Sequence, residues 1–426
     1  MQQKDTRIQT RKTIVHQPYD VIVIGGGASG MMAAGRSAEK GKRVLLVEKN
    51  RILGKKLAIS GGGRCNITNA QYDIRALLSN YGESADFLYS PFSQYGVRDT
   101  FTFFENLGLP LVVQARLRAF PKTERASDVC EALRTYMNMH KVEYALGAAV
   151  SKITQDGNRI TGICVGDCVY TAHHYILATG GVSHPETGST GDGFTWLRLL
   201  GHTVKTPTPT IVPLAVSEKW VHSLSGISLS FMKITFFAEG KKQFTQKGKI
   251  LFTHFGLSGP LILNCAGKVG DLLQSNEVTA LIDAYPDTDL GALEDRVLKV
   301  FDANKNKMLK NIFKEIVPEG TTPGILQLFS EDLMNTKVHS VSKEDRKKIV
   351  HTLKALPVTI THLMGYDRAV VADGGVTLTE VDMRTMRSKK IENLSITGDL
   401  LHIKRPSGGF SLQLCWTTGF VAGEHA

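Results

Sequence analysis

Apolar positions in this chain come in short runs, and their spacing changes from one segment to the next. Residues 19–24, YDVIVI, form a run with almost no polar break, the pattern of a buried strand. The glycine cluster GGGASG follows. MMAAGRSAEKGK comes next, and its Ala and Met residues favour helix. RVLLVEK is a second apolar run. Strand, glycine turn, helix and strand within about thirty residues predict a βαβ unit with parallel strands.

Residues 98–107 and 125–141 have helical character. From 142 to 178 the pattern changes to three strand-like runs, VSKIT, RITGICV and CVYTAHHYILAT. Asp156-Gly157-Asn158 and Gly166-Asp167 separate them as hairpin signals, so a three-strand meander is expected. It ends in Ala178-Thr179-Gly180-Gly181. Residues 203–265 carry strand-like runs with Pro and Gly punctuation, including ISLSFMKITFFAEG and KGKILFTHFGLSGP, and predict a small β domain. Residues 288–355 are helix-rich and strongly basic. Strand character returns at PVTITH and RAVVADGGVTL, and SITGD is a short strand ending in Gly398-Asp399. The chain closes with a glycine turn and an expected helix, GGFSLQLCWTTGFVAGEHA.

The 426 residues are too many for one small core, so two or three domains are expected. Composition is that of a folded chain, 42% apolar and 21% charged. No stretch approaches the about twenty apolar residues of a membrane span. Residues 1–18 lack the apolar core of a secretory signal and read as a frayed basic tail. Six cysteines are scattered without a CxxC, which fits a reduced, cytoplasmic protein. Cys164 and Cys168 flank the Gly166-Asp167 turn and suit a hairpin better than a redox pair. No His/Cys cluster has zinc-like spacing, so no metal is expected. Net charge is +11. It admits an anionic partner such as nucleic acid, and equally a basic solvated surface on a small-molecule enzyme.

Gly25-Gly26-Gly27-Ala28-Ser29-Gly30 is a GxGxxG that follows a strand and opens a helix, with Glu48 ending the next strand 23 residues after Gly25. In that context Gly25 permits the tight turn, Gly27 lets backbone approach a pyrophosphate and Gly30 lets helix and strand pack closely. The helix N-terminus offers unpaired N–H groups and a positive dipole end. Glu48 is suited to the two hydroxyls of a ribose and repels a 2′-phosphate, which favours FAD or NAD over NADP. The plain alternative is a glycine turn in some other α/β protein.

Three features favour FAD. The unit opens the fold, and a later strand returns with Gly398-Asp399, able to aim a carboxylate at ribityl hydroxyls and pyrophosphate. Gly408-Gly409 before the last helix puts N–H groups near a bound ring, where they stabilise negative charge on a reduced flavin. The meander followed by ATGG replaces the second half of a plain NAD fold. No second GxGxxG is present for a nicotinamide.

Together these resemble the glutathione-reductase-like FAD domain. GKKLAISGGGRCNITN, LFTHFGLSGP and the tail TMRSKK…ENLSITGDLL…GGFSLQLCWTTGFVAG narrow the resemblance to the BaiN/RdsA-type flavoproteins, over about Tyr19 to Gly423. The resemblance implies an α/β fold, an FAD-binding Rossmann domain with an inserted β-domain and a helical domain. On this chain the FAD domain spans 19–200 and 366–426, the β-domain 201–287 and 356–365, and the helical domain 288–355. The cofactor-contacting set is then Gly25, Gly27, Ala28, Ser29, Gly30, Glu48, Lys49, Gly62, Gly63, Arg64, Cys65, Asn66, Val150, Thr179, Gly180, Gly398, Asp399, Ser407, Gly408, Gly409 and Phe410. Gly61 to Gly63 would let backbone run along the cofactor. Arg64 would answer a phosphate or a flavin carbonyl, and Asn66 offers donor and acceptor. The family's known activities imply reduction of a conjugated C=C in bile-acid-type steroids or of uridine in ribosomal RNA, with amine oxidation as a further label.

The chain departs from the family between Gly398-Asp399 and Gly408-Gly409. A loop of the form GEvLDvdG becomes Asp399-Leu-Leu-His402-Ile-Lys404-Arg405-Pro-Ser407, a basic loop that points to an anionic substrate or a different proton donor. The catalytic candidates are Cys65, His254, His402 and Arg405. Cys65 is a proton donor or a packed core thiol. His254 is an acid or a loop-bonded histidine. His402, Lys404 and Arg405 hold an anion or form a solvated loop. His173-His174, on a meander strand, reads as structural. Lys305, Lys307, Lys310, Lys314, Lys343, Arg346, Lys347 and Lys348 form a phosphate-tracking face or an ordinary solvated one.

The function expected is an FAD-dependent oxidoreductase delivering hydride to an electron-poor C=C. A uracil ring in ribosomal RNA, giving dihydrouridine, is the most concrete substrate. A small-molecule enone reductase or amine oxidase is the alternative, and a non-catalytic FAD-containing RNA-binding factor the second. NAD(P)H is the expected transient reductant.

Overall fold

YDVIVI forms the central strand, Tyr19–Ile24, of a five-stranded sheet. The order is Leu394–Ile396, Ala172–Leu177, Tyr19–Ile24, Val44–Glu48 and Glu143–Leu146, and every neighbouring pair is parallel. Val21, Ile22, Val23, Leu46, Ile176 and Leu177 are fully enclosed, as expected for a parallel sheet covered on both faces. The computed structural model describes residues 18–426 and the backbone of Ile14–Val15, so the tail expected over 1–18 falls almost wholly outside the described residues. The chain divides into two units, residues 1–208 with 372–426, and residues 209–371.

In the first unit the helix Ala28–Glu39 packs against the closing helix Phe410–Glu424. Glycines set this approach: a Cβ on Gly419 would stand 2.4 Å from the Ser29 carbonyl oxygen, and one on Gly423 2.5 Å from that of Ala33. The closing helix is apolar on nearly every side, which suits a buried position. Trp416 is fully buried within it and donates its indole N–H to the Ile67 carbonyl at 2.9 Å.

The expected meander is corrected in its third strand. CVYTAHHYILAT splits at Thr171 into strands of two different sheets. Cys168–Tyr170 pairs antiparallel with Arg159–Val165, which pairs with Val150–Asp156. Ala172–Leu177 joins the parallel sheet instead. The Thr171 carbonyl accepts from the Tyr19 N–H at 2.9 Å, and the Ala172 N–H is capped by the Tyr175 hydroxyl at 2.8 Å. The helices expected at 98–107 and 125–141 run Val97–Asn106 and Ala126–Met139. A further, antiparallel sheet of three strands, Thr68–Asn69, Arg118–Pro121 and Leu111–Gln114, had no clear periodic signal.

The second unit is a closed six-stranded barrel, Leu214–Val216, Gly256–Ser258, Lys241–Thr253, Ser228–Ala238, Val278–Asp283 and Leu356–Leu363. The helices Leu290–Ala303 and Lys343–Lys354 share its core: Val297, Phe301, Ile349 and Leu353 belong to the same buried cluster as Ile234, Phe236, Ile282 and Val358. Lys354 seals the junction by pairing with the buried Asp283 at 2.8 Å. No helix among the described residues is long and apolar enough to cross a membrane.

Candidate active site

The first glycine run is crowded. A Cβ on Gly25 would stand 2.5 Å from the Ala178 carbonyl oxygen, and one on Gly30 1.8 Å from that of Gly25, so strand, turn and helix close only on glycine. Gly26 is also held: its Cβ would meet Leu53 at 2.4 Å. Gly27, the N-cap of Ala28–Glu39, meets nothing within 4 Å, leaving room beside the helix N-terminus. Ser29 is buried, and its hydroxyl accepts from Thr397 at 3.2 Å, tying the fingerprint helix to the returning strand.

Glu48 is buried at the end of its strand, and its carboxylate organises the cradle. One oxygen accepts from the Gly26 N–H at 2.6 Å, the other from the backbone and side-chain N–H groups of Asn50, both at 2.7 Å. Gly147 and Ala148 donate to the Asn50 and Glu48 carbonyls, which brings the start of the strand at Val150 alongside. Lys49 is committed to Thr190 at 2.6 Å and Asp192 at 2.7 Å.

The second glycine run is open and left-handed. Leu57–Ile59 wind as a 3₁₀ turn, Ser60 is extended, and Gly61, Gly62 and Gly63 have φ of 58°, 68° and 85°. Gly62 and Gly63 meet nothing within 4 Å of a Cβ position. Arg64 returns to the right-handed region at φ -96°, and Cys65 is left-handed again at φ 58° and sealed, with 0% exposure; burial pushes its thiol up to about 12. Its surroundings are those of a packed thiol. The Arg64 guanidinium lies 4.4 Å from the Phe120 ring centroid and donates to Gln114 at 2.7 Å and Glu124 at 2.6 Å. Its Nε–H is buried with no acceptor among the described residues. The Asn66 amide donates to the Ala119 and Thr68 carbonyls at 3.2 and 3.1 Å, and its oxygen accepts from the Gly409 N–H at 2.9 Å.

Gly408 and Gly409 both have positive φ, 122° and 103°. A Cβ on Gly409 would stand 2.3 Å from the Thr68 carbonyl carbon, so this turn is pressed onto the end of the second glycine stretch. Asn69 bridges it, donating to the Gly408 and Arg116 carbonyls, both at 3.2 Å. Phe410 is buried, with its carbonyl accepting from the Tyr81 hydroxyl at 2.9 Å. Ser407 is half-buried in the same turn.

The loop from 399 to 407 presents less positive charge than its composition implies. Arg405 is buried, forms an ion pair with Asp399, and donates to the Ile403 carbonyl at 2.7 Å and the Ser411 hydroxyl at 3.1 Å. His402 is half-buried; burial lowers its pKa, and the charges of Lys205 and Lys404 add to the effect. It is therefore neutral at pH 7, with Nδ1 buried and unpartnered among the described residues. Only Lys404 presents an exposed cation here. Gly398, at φ 60°, donates its N–H to Thr418 at 3.0 Å and starts the 3₁₀ turn that carries Asp399.

Thr179 and Gly180 end the strand beside Gly25; a Cβ on Gly181 would stand 3.5 Å from that of Asp399. So the first unit brings together Gly25–Gly30, Glu48, Thr179–Gly181 and Gly398–Asp399, and joins Gly61–Asn66 to Gly408–Phe410. His254 belongs to the second unit; it is exposed, with its ring edge-on to Phe255 at 4.9 Å. His174 is buried and bonded to Ser395 at 2.9 Å, a structural position. Gly26, Lys56 and Asn69 were missed by the sequence reading. Each lies inside or beside a motif it quoted, but the roles depend on partners far along the chain. No cluster of His, Cys, Asp or Glu among the described residues could hold a metal ion.

The donor set fits a dinucleotide carrying a flavin. There is open space at Gly27, Gly62 and Gly63, a helix N-terminus at each end of the cradle, a buried carboxylate at Glu48, and an unsatisfied buried donor at Arg64 Nε. Comparisons with known proteins agree. The chain is 28% identical over 411 residues to a 3-dehydro-bile acid delta(4,6)-reductase of Clostridium scindens, covering 95% of this chain and 98% of the relative. It is 26% identical over 410 residues to a ribosomal RNA dihydrouridine synthase of Escherichia coli, covering 95% and 97%. A solved 3-ketosteroid-delta4-(5alpha)-dehydrogenase from Rhodococcus jostii shares the fold at TM-score 0.53 and 14% identity, with 98% of both chains covered. Residues 19–425 match the family described as HI0933-like protein Rossmann domain, and the chain belongs to that family of FAD-dependent oxidoreductases.

Proposed function

We propose that this protein reduces a carbon–carbon double bond conjugated to a carbonyl, and that its substrate is a uracil ring in ribosomal RNA. One observation carries the reaction class. Relatives spanning nearly the whole chain are named for two substrates, a bile acid and a uridine, whose reductions share that chemistry. When bound, FAD supplies the hydride, which an electron-poor C=C accepts at the carbon β to the carbonyl.

The chain's own residues hold, orient and protonate. Gly25–Gly30 and the N-terminus of Ala28–Glu39 would hold the diphosphate, and Glu48 the adenosine ribose. Gly61–Gly63 would run along the flavin, with Arg64 Nε donating to a ring carbonyl. The N-terminus of Phe410–Glu424 would favour negative charge on the reduced ring. Cys65, with 0% exposure, supports the packed-thiol reading better than that of a proton donor. His402 is the group of this unit we assign to the proton that follows hydride: its neutral ring takes up a proton from water at the unpartnered Nδ1 and passes it to the carbon that hydride addition leaves electron-rich. NAD(P)H is the proposed reductant, docking transiently.

The charge on the second unit favours RNA over a free steroid. Lys307, Lys310, Lys314, Lys347 and Lys348 are exposed, with no carboxylate within 4.0 Å among the described residues, whereas Lys305 and Arg346 pair with Asp302 and Glu294. Aromatic side chains for base stacking are sparse there. The deciding test is nucleoside mass spectrometry of ribosomal RNA from cells with and without this gene. Dihydrouridine that depends on the gene is expected. Its absence, with turnover of a 3-oxo-Δ4 steroid acid by the same flavin-loaded protein, would transfer the reaction to a small-molecule substrate. RNA affinity should also fall steeply with salt, and the Lys347→Glu, Lys348→Glu double variant should flatten that slope.

A further inference from the structure

The segment leaving the second strand clasps the loop after Gly181 at four points. Lys49 reaches Thr190 and Asp192, Asn50 donates to the Thr187 carbonyl at 3.0 Å, Lys55 to the Glu186 carbonyl at 2.7 Å, and Lys56 to the Ser183 hydroxyl at 3.2 Å. Three of these are ordinary. Lys49 has a carboxylate, Asn50 has no charge, and Lys55 is exposed to water. Lys56 differs. Its ammonium lies among protein groups, 3.9 Å from a Cβ position on Gly180, and has no carboxylate within 4.0 Å among the described residues.

The charges around it do not balance. Asp399 is the largest acidic influence and Glu186 a smaller one, but the Asp399 carboxylate is already taken by Arg405, and that of the exposed Glu186 lies 2.8 Å from His184. Lys56 and Arg405 therefore share Asp399, and no carboxylate meets Lys56 at contact distance among the described residues. Lys56 is half-buried, and an ammonium partly withdrawn from water without a counter-ion at contact distance is unfavourable. Its pKa is lowered accordingly, by burial first, although Asp399 acts in the other direction. The missing negative charge has an obvious source at this position. Gly180 and Gly181 flank Lys56 and Asp399, across the strand ends from Gly25 and the fingerprint helix.

We propose that Lys56, with Ser183, is a second anchor for the diphosphate of the bound dinucleotide, opposite the fingerprint helix N-terminus. The inference rests on FAD occupying the first unit and is independent of which substrate is reduced. It gives the clasp a purpose: cofactor charge neutralises Lys56 and thereby fastens the loop from 182 to 192.

The test uses Lys56→Met, which keeps the stem and removes the charge, and Lys56→Arg as the conservative variant. Apoprotein is titrated with FAD, ADP and riboflavin, and its thermal midpoint is measured with and without FAD. Lys56→Met should weaken FAD and ADP alike by about tenfold or more, leave riboflavin unchanged, and be largely rescued in Lys56→Arg. Its apoprotein should melt higher than the parent, because an uncompensated charge has gone, while the gain on adding FAD shrinks. A lower-melting Lys56→Met apoprotein with unchanged FAD affinity would make Lys56 a structural strut and overturn the proposal. Loss of riboflavin binding with ADP unaffected would move the cation to the flavin ring and overturn it equally. If the substrate reading alone is wrong, these titrations keep their expected outcome while gene-dependent dihydrouridine is missing.

Discussion

Two stretches of this chain carry three consecutive glycines, and they use them for opposite reasons. At Gly25 and Gly26 the fold leaves no space: the Ala178 carbonyl oxygen and the Leu53 side chain stand where side chains would begin. At Gly61–Gly63 two of the three positions are open, and what excludes other residues is backbone handedness, with φ between 58° and 85°. The first run is an interior packing device with a single window at Gly27. The second is a surface strip whose backbone is free to lie against a ligand. A glycine triplet in a sequence thus does not say which constraint it answers.

The largest effect should come from the crowded run. Gly30→Ala sets a methyl against the Gly25 carbonyl and is expected to cost about 3 kcal/mol or more, seen as loss of soluble protein or a large fall in the urea midpoint. If Gly30→Ala and Gly62→Ala prove equally harmful, the distinction between the runs collapses. Next comes the amide that ties the open run to the closing helix. Asn66→Ala removes hydrogen bonds to Thr68, Ala119 and Gly409 and should cost about 2–3 kcal/mol. Its flavin should also fluoresce more, through loosening of Gly408–Gly409.

Gly62→Ala should cost about 1–2 kcal/mol from the left-handed backbone alone, and Gly62→Asn visibly less, since Asn tolerates that region. Equal costs for Ala and Asn would mean that contact, rather than handedness, limits this position. The smallest effect on stability belongs to Gly27→Ala. Nothing stands within 4 Å, so the apoprotein should change by no more than about 0.5 kcal/mol while FAD is released more readily. Unchanged FAD retention would close the window assigned to Gly27.

The same contrast marks what could be read in advance. GGGASG sits between a strand and a helix of strong periodicity, and Glu48 ends the next strand; local pattern alone places them together. The open run was recognised as a place of close backbone approach, but its neighbours were not. Asn66 was read as a ligand contact, and the structure spends its amide on Gly409, more than three hundred residues away. Arg64 was read as a phosphate or flavin donor, and two of its bonds go to Gln114 and Glu124 in a sheet without clear sequence signal. The loop after Asp399 read as basic because composition counts charges, whereas burial neutralises His402 and pairs Arg405 with Asp399. The third meander strand was misplaced because both halves of CVYTAHHYILAT have strand character, and periodicity does not say which sheet each half joins.

The sequence by itself determined the βαβ unit, the dinucleotide fingerprint with its acidic partner, the β-rich and basic helical segments, and the glycine turn before the last helix. These depend on local periodicity, backbone conformation and the hydrogen-bonding capacity of particular residues, all of which operate over a few positions. Only the tertiary structure decided which charges remain available. Lys56 stands unpaired beside an Asp399 already taken by Arg405, Cys65 is sealed, and Lys49 is spent on Asp192. Availability depends on the partner that reaches a side chain first, and that partner is supplied by whatever distant segment the packed core brings alongside.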